Sequence, residues 1–444
     1  MNSVVFLSVD CLRADHLGCY NYERPTSPNI DDFANSATIY KHGYANCPGT
    51  RWAFQSLHTG VYTHQIDGLG IPDRYTPLAA LFSNAEYATG GFAVNAFVSR
   101  EYNYNRGFDT FYSVSEATGT KPIIKRIGKK ISDKVDNERL DECVLKPVNN
   151  ILRNQSTGDS NEYKPSHTDK DSVDQALHFI EQQQTADNEF FCWVHFMDAH
   201  TPYGYWPKHL EAIRGNSSIE HTIQPGEEGK IAVGENPPKD VIDTYDACIR
   251  SVDEQIGRVL SAIDENTTVI LTGDHGEEFG QYNDFHSASL YSSMTQVPII
   301  VRTPSIPTGI VETPVQHLDL PPTMLTAAGI SVPDHFEGVS LQTINRTSTD
   351  PIFFSLGKNQ IAVRKGIYKY IEENGSTELY RVPHSGQETD SVLNENKEIA
   401  EKLQKLIEDH RQRQSIGEGK LELSKGQDDL SDEIEKNLED LGYL

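Results

Sequence analysis

Long apolar runs are missing from this chain. No stretch approaches the ~18 consecutive apolar residues that a membrane-spanning helix requires, so no such span is expected. A secretory leader is not expected either, because the apolar run from Ser3 to Val9 is too short for a signal core and lacks a basic flank. Basic residues are scarce, with 39 Lys and Arg against 65 Asp and Glu and a formal net charge of −26. That balance disfavours nucleic acid and anionic membranes as partners and favours solubility, either ordinary or adapted to high salt. The six cysteines (11, 19, 47, 143, 192 and 248) show no CxxC spacing. They read as free thiols in a reducing cytoplasm, the expected location. No internal repeat is evident.

What remains is enough chain, 444 residues, for one large α/β domain and a smaller appendage. The expected division is a catalytic domain over residues 1–345, with an insertion at about 119–170, and a C-terminal α+β subdomain with a tail over 346–444. The insertion is announced by a change to basic and then polar composition between Gly119 and Lys170. Residues 206–238, rich in Gly, Pro and charge, read as a loop near the site, of the kind that selects a substrate.

Three short apolar runs end abruptly in polar residues. Val4–Val9 ends in Asp10-Cys11, Phe190–Met197 ends in Asp198-Ala199-His200, and Thr267–Leu271 ends in Thr272-Gly273-Asp274-His275. Runs of this kind predict buried parallel strands, and open α/β sheets bind ligands at the carboxyl ends of their strands. Asp10, Asp274 and His275 are therefore candidate cation ligands, because a hard dication needs donors converging from separate loops. Asp10 as a helix N-cap and Asp274-His275 as a polar turn are the plainer alternatives. Downstream of a Pro48-Gly49 turn, Thr50 precedes a helical stretch closed by Gly60. Its hydroxyl can cap that helix, or act as a nucleophile where helix amides and a bound metal favour an anionic ester.

The stretches VVFLSVDCLRADHLGCY, TSPNIDDFANSATIYKHGYANC, FFCWVHFMDAHTPY, TTVILTGDHGEEFG and HLDLPPTMLTAAGI, in that order, resemble the sulfatase and alkaline-phosphatase-like hydrolase superfamily. The resemblance implies a mainly parallel sheet sandwiched by helices, with a small C-terminal antiparallel sheet and helix. It implies a metal held by Asp10, Asp274, His275 and the nucleophile itself. Aligning on Thr59-Gly60 places Thr50 at the nucleophile position. Cys47, the alternative, has Arg51 four residues on but lacks the family's proline, since that position is Gly49. Threonine does not undergo formylglycine formation, so Thr50 implies a phosphoester-type chemistry. His200 and His286 fall where the family places histidines that contact ester oxygens or the leaving group. His195 reads as structural, and Asp198 as a weaker candidate for a second cation.

Two departures carry information. The family's opening Asp-Asp is Asp10-Cys11 here, and its frequent Asp-Asn is Asp274-His275. Fewer carboxylates and an added imidazole favour manganese or zinc over calcium, and Cys11 offers a soft thiolate. Where sulfatases carry a lysine after the second histidine, this chain has Ser287-Ala288-Ser289. The expectation is a metal-dependent hydrolase of sulfate or phosphate esters, acting on a small molecule or glycan through a covalent intermediate on Thr50. The alternatives are a formylglycine sulfatase using Cys47, a transferase passing a phospho group to a glycan, and a non-catalytic glycan-binding relative. Oligomeric state is left open.

Overall fold

Val4–Val9 (β1) is buried on both faces because it is sandwiched between two parallel neighbours, Phe190–Phe196 (β6) and Thr268–Gly273 (β7). This position explains its unbroken apolar run: neither face of a central parallel strand meets water. The computed structural model describes residues 2–66, 68, 70–95, 97–113, 169–219, 237–282, 289–356, 360–383 and 387–418. Most of the insertion, and His286, lie outside the described residues.

Six further strands belong to this sheet or flank it early in the chain: Thr38–Tyr40 (β2), Gly43–Tyr44 (β3), Ala88–Ala93 (β4), Thr110–Tyr112 (β5), Ile299–Arg302 (β8) and Gly309–Val311 (β9). The eight-stranded sheet runs β5-β4-β6-β1-β7-β8-β2-β9. It is parallel except where β8 pairs antiparallel with β7 and with β2. A separate two-stranded ladder joins β3 to Val315–Gln316 (β10).

Helices cover both faces. Val5, Leu7 and Val9 share one core with Pro28–Ala34 (α1), with Val173, Ala176 and Ile180 of Asp169–Thr185 (α4), and with Ile249, Val252 and Ile256 of Lys239–Ser261 (α6). Val4 and Phe6 face the opposite core, built from Thr50–Thr59 (α2), Leu78–Asn84 (α3) and Leu320–Ala327 (α8). Two shorter helices, Pro207–Arg214 (α5) and Ser292–Thr295 (α7), complete the layer near the strand ends. The first of these corrects the start of the 206–238 loop reading, where Pro207 at the helix start and Gly215 in the left-handed conformation at its end define α5; residues 220–236 of that stretch lie outside the described residues.

Ile352–Leu356 (β11), Gln360–Lys365 (β12), Tyr368–Glu373 (β13) and Ser376–Arg381 (β14) form an antiparallel meander. Leu403 and Ile407 of Lys397–Glu418 (α9) pack on one face of it with Phe353, Ile361 and Val363. Its other face meets the main body through Phe354 against Tyr44, and a fully buried ion pair of the subdomain, Lys369 Nζ to Glu388 Oε1 at 2.8 Å, lies at the same junction. Glu388 also accepts the amide and hydroxyl of Ser292, so the pair leaves little charge unmet. The expected architecture, a mainly parallel sheet between helices with a small antiparallel sheet and helix, is the one observed.

Candidate metal centre and active site

The carboxyl ends of β1, β6 and β7 lie side by side, and each delivers polar side chains into one buried spot. Asp10 continues β1, its amide bonded to the Phe196 carbonyl at 2.9 Å, and Asp274 continues β7, its amide bonded to the Val9 carbonyl at 3.0 Å. Both carboxylates are fully buried. The third contributor is the start of α2. The Gly49–Thr50 junction turns the chain into the helix, and Gly60, at φ 72°, ends it. Thr50 Oγ1 then stands 3.2 Å from Asp10 Oδ2 and 3.2 Å from His275 Nε2.

The tautomer of His275 follows from its surroundings. Its Nδ1 faces the Gly276 carbonyl at 2.8 Å, so Nδ1 carries the proton and the Nε2 lone pair points to Asp10 and Thr50. This is the arrangement by which proteins present imidazole to metals. Gly276 permits the tight turn: a Cβ there would collide with the Ser293 carbonyl. Around Asp10 the structure gathers His275 Nε2 at 3.5 Å from Oδ1, His195 Nε2 at 3.4 Å from Oδ2, and Asn95 Nδ2 at 3.3 Å from Oδ2.

The two carboxylates are pushed in opposite directions. Burial works to raise Asp10, but the imidazoles of His200, His195 and His275 outweigh it and hold the group well below the usual carboxylate range. Burial and the charge of Asp10 push Asp274 up to about 6, against the pull of His275 and His195. Asp274 Oδ1 accepts the amides of His275 at 2.7 Å and Cys11 at 3.3 Å, whereas Oδ2, fully enclosed, has no hydrogen-bond partner among the described residues. An orphaned buried carboxylate oxygen is costly unless a cation or water meets it. Two donor groups, Asp10 with Cys11 and His275, and Asp10 with His195 and Asp274, each have their ligand atoms within 4.8 Å of one another. A divalent cation fits this donor set.

The spot is braced from the α6 side. Tyr245 donates its hydroxyl to the Cys11 carbonyl at 2.6 Å and accepts the Arg13 amide at 3.1 Å. Arg13 in turn donates to the Glu277 carbonyl at 2.8 Å, joining the loops after β1 and β7.

Of the expected site residues, Asp10, Thr50, Asp274 and His275 come together. His200 is buried beyond β6, close enough for its charge to act on Asp10, with Nδ1 against the Thr201 carbonyl. His195, read from the sequence as structural, borders the site, with Nδ1 3.1 Å from Ser8 Oγ and Nε2 toward Asp10. Asp198 stands apart from this group. It accepts the Asp169 amide at 3.4 Å and the Ser251 hydroxyl at 3.3 Å, ties that fix the start of α4. Cys47 is turned away: Sγ lies 2.8 Å from Thr63 Oγ1 and 2.9 Å from the Ser355 carbonyl of β11. Burial pushes its thiol up to about 12, outside the range of a reactive thiolate at neutral pH. Asn95 was not anticipated. Its only signal is its place two residues beyond Ala93, the last residue of a glycine-containing strand that pairs with β6.

Comparison with known proteins identifies the family and the fold. The sulfatase family profile matches residues 2–330. The uncharacterised sulfatase YidJ of Escherichia coli (strain K12) is 25% identical over 376 residues, which span 77% of this chain and 70% of that protein. Among solved structures, the phosphonate monoester hydrolase of Agrobacterium radiobacter superposes with a TM-score of 0.67 at 16% identity, over 93% of this chain and 96% of that one. A protein solved with its substrate D-glucosamine-2-N,6-O-disulfate superposes with a TM-score of 0.67 at 16% identity, over 93% and 98% of the two chains. At such identities the structural likeness speaks for the fold.

Proposed function

The chain belongs to the sulfatase family of ester hydrolases, and from that premise we propose that it cleaves a phosphate or sulfate ester through a covalent intermediate on Thr50. The observation that carries this reading is the convergence on Thr50 Oγ1 of Asp10 Oδ2 and His275 Nε2, both at 3.2 Å and from different strand ends. Asp10, Asp274 and His275 would hold a divalent cation beside that hydroxyl, manganese or zinc suiting mixed oxygen and nitrogen donors better than calcium. Such a cation supplies Lewis-acid stabilisation of the ester oxygens and favours the ionised hydroxyl.

The protein's own groups do the rest. Asp10 Oδ2 orients Thr50 Oγ1, whose proton passes to solvent as a bond forms to phosphorus or sulfur and the bond to the leaving alkoxide breaks. The N-terminus of α2, which begins at Thr50, lends partial positive charge to the ester's remaining oxygens. His200 donates a proton to the alkoxide and regains one from the water that attacks next. Water then releases the acid from Thr50; an alcohol in its place would complete a transfer instead.

The substrate reading is a small-molecule or glycan ester, in keeping with relatives that include a phosphonate monoester hydrolase and a protein solved with a sulfated glucosamine. Ser287-Ala288-Ser289, where sulfatases carry a lysine, favours a phosphoester. A sulfatase using modified Cys47 is disfavoured by the seat of that thiol between Thr63 and Ser355. The test is a paired assay of an aryl phosphodiester and an aryl sulfate, each with manganese, zinc or calcium, beside Thr50→Ala. Phosphoester cleavage that needs a transition metal and disappears in Thr50→Ala supports the proposal. Sulfate cleavage that persists in Thr50→Ala overturns it.

A further inference from the structure

We infer that Cys11 is a direct ligand of this centre and makes it selective for a thiophilic dication (zinc, cobalt or cadmium) over manganese, magnesium or calcium. The inference rests on the cation site proposed above and adds a donor to it. Cys11 Sγ lies 3.2 Å from Asp10 Oδ1, which is itself 3.5 Å from His275 Nε2. Sulfur, oxygen and nitrogen ligands arranged tetrahedrally around zinc, at ordinary bond lengths, stand about 3.3–3.6 Å apart, the sulfur pairs at the long end. The thiol, carboxylate and imidazole donors all lie within 4.8 Å of one another, close enough to close on a shared ion with small side-chain shifts.

Two independent features point the same way. First, Cys11 sits at φ 57°, in the left-handed region that disfavours a residue with a side chain. The conformation is held at both ends of the residue, by the Cys11 amide on Asp274 Oδ1 and by the Tyr245 hydroxyl on the Cys11 carbonyl. It sets the thiol against Asp10. A glycine would relieve the strain but remove the sulfur. Second, Asp274 Oδ2 is fully buried and without a hydrogen-bond partner among the described residues, with His275 Nε2 next to it at 3.9 Å. A buried carboxylate oxygen left in this state beside the imidazole marks a place for a cation at the same strand ends. On coordination the S–H bond is exchanged for a sulfur–metal bond, and the proton leaves to solvent. Thiolate softens the centre, and soft ligands select among dications.

The experiment uses the full chain, stripped by chelator and titrated with Co²⁺ and Cd²⁺. Sulfur-to-metal charge-transfer absorption is recorded alongside calorimetric stoichiometry, in wild type, Cys11→Ser and Cys19→Ser. The expected result is a charge-transfer band that saturates with bound metal, survives in Cys19→Ser and is lost in Cys11→Ser. The preference for Cd²⁺ over Mn²⁺ should fall at least about tenfold in Cys11→Ser. Cobalt bound to wild type without the band overturns the inference, as does a band that persists in Cys11→Ser. If wild type binds no dication at all, the underlying cation reading falls with it, a different outcome from binding without a sulfur signature. Should Cys11→Ser fail to fold, cadmium NMR of the wild-type protein reads sulfur coordination directly: a shift typical of oxygen and nitrogen ligands alone overturns the inference.

Discussion

Cys47 and Thr50 are three residues apart, and both carry a small side chain able to act as a nucleophile, yet they face different parts of the molecule. The thiol precedes α2 and is sealed against β11, between Thr63 and the Ser355 carbonyl. The hydroxyl opens α2 and faces the ends of β1 and β7. The helix start is the divide: before it the chain packs on the antiparallel sheet, and from it onward the side chains meet the parallel one. Chemical competence thus depends on which sheet a side chain faces, because only one of the two environments sets a carboxylate and an imidazole against it.

The largest expected effect separates the pair by activity. Thr50→Ala should lower turnover by roughly 10⁴-fold or more, the scale of losing a nucleophile, while changing stability little. Cys47→Ala should keep turnover within about threefold of wild type, since the thiol touches no reacting group. Steady-state rates on whichever ester proves the better substrate decide this. A collapse in Cys47→Ala with full folding would reverse the roles.

Next in size is Asp274→Asn. The substitution removes a charged donor while keeping its shape, so cation affinity should fall by at least about 100-fold by calorimetry. The equivalent change at Asp198, Asp198→Asn, should leave affinity within about threefold, because Asp198 is spent on the Asp169 amide and Ser251. Equal losses at both positions would mean that the second carboxylate belongs to the centre.

The comparison then turns to stability. Cys47→Ala should cost about 1–3 kcal/mol in urea unfolding, from lost packing and from the stranded Thr63 hydroxyl and Ser355 carbonyl. Thr50→Ala should cost under about 1 kcal/mol. No measurable loss in Cys47→Ala would show that its contacts with β11 do not hold the two sheets together.

Much of this was legible in the sequence, and the gaps have physical causes. β1, β6 and β7 announced themselves as apolar runs ending in polar residues, because a strand buried on both faces has no reason to alternate. The same lack of alternation hid His195. Phe196 and His195 are both fully buried, so nothing in the pattern said which of them turned toward Asp10. Sequence position also could not show what seals Cys47, since Ser355 is 308 residues away. Asp10, Asp274 and His275 were readable because strand ends meet at a fixed place in a parallel sheet. Asn95 was not, because it follows β4, a strand one step further out.

The smallest effect tests the far end of the same helix. His58 lies in α2, fully enclosed by Phe54, Tyr104 and Trp193, and neither ring nitrogen has a hydrogen-bond partner among the described residues. Burial, with a contribution from His195, drives its pKa down to about 3 from an ordinary 6.5. In the folded state the ring therefore stays neutral where the unfolded chain takes up a proton. The stability this contributes is fully present above pH 6.5 and is lost progressively as pH falls toward 3. One pH unit within that window is worth about 1.4 kcal/mol, so acidification from pH 6.5 to 5.5 should cost roughly 1 kcal/mol through this residue. His58→Leu removes the titrating group while keeping an apolar filler, and its urea midpoint should fall less than that of wild type over the same interval. An identical acid dependence in both proteins would show that His58 finds a proton acceptor within the fold. The helix would then be polar at both ends, rather than reactive at Thr50 and inert one helix length away.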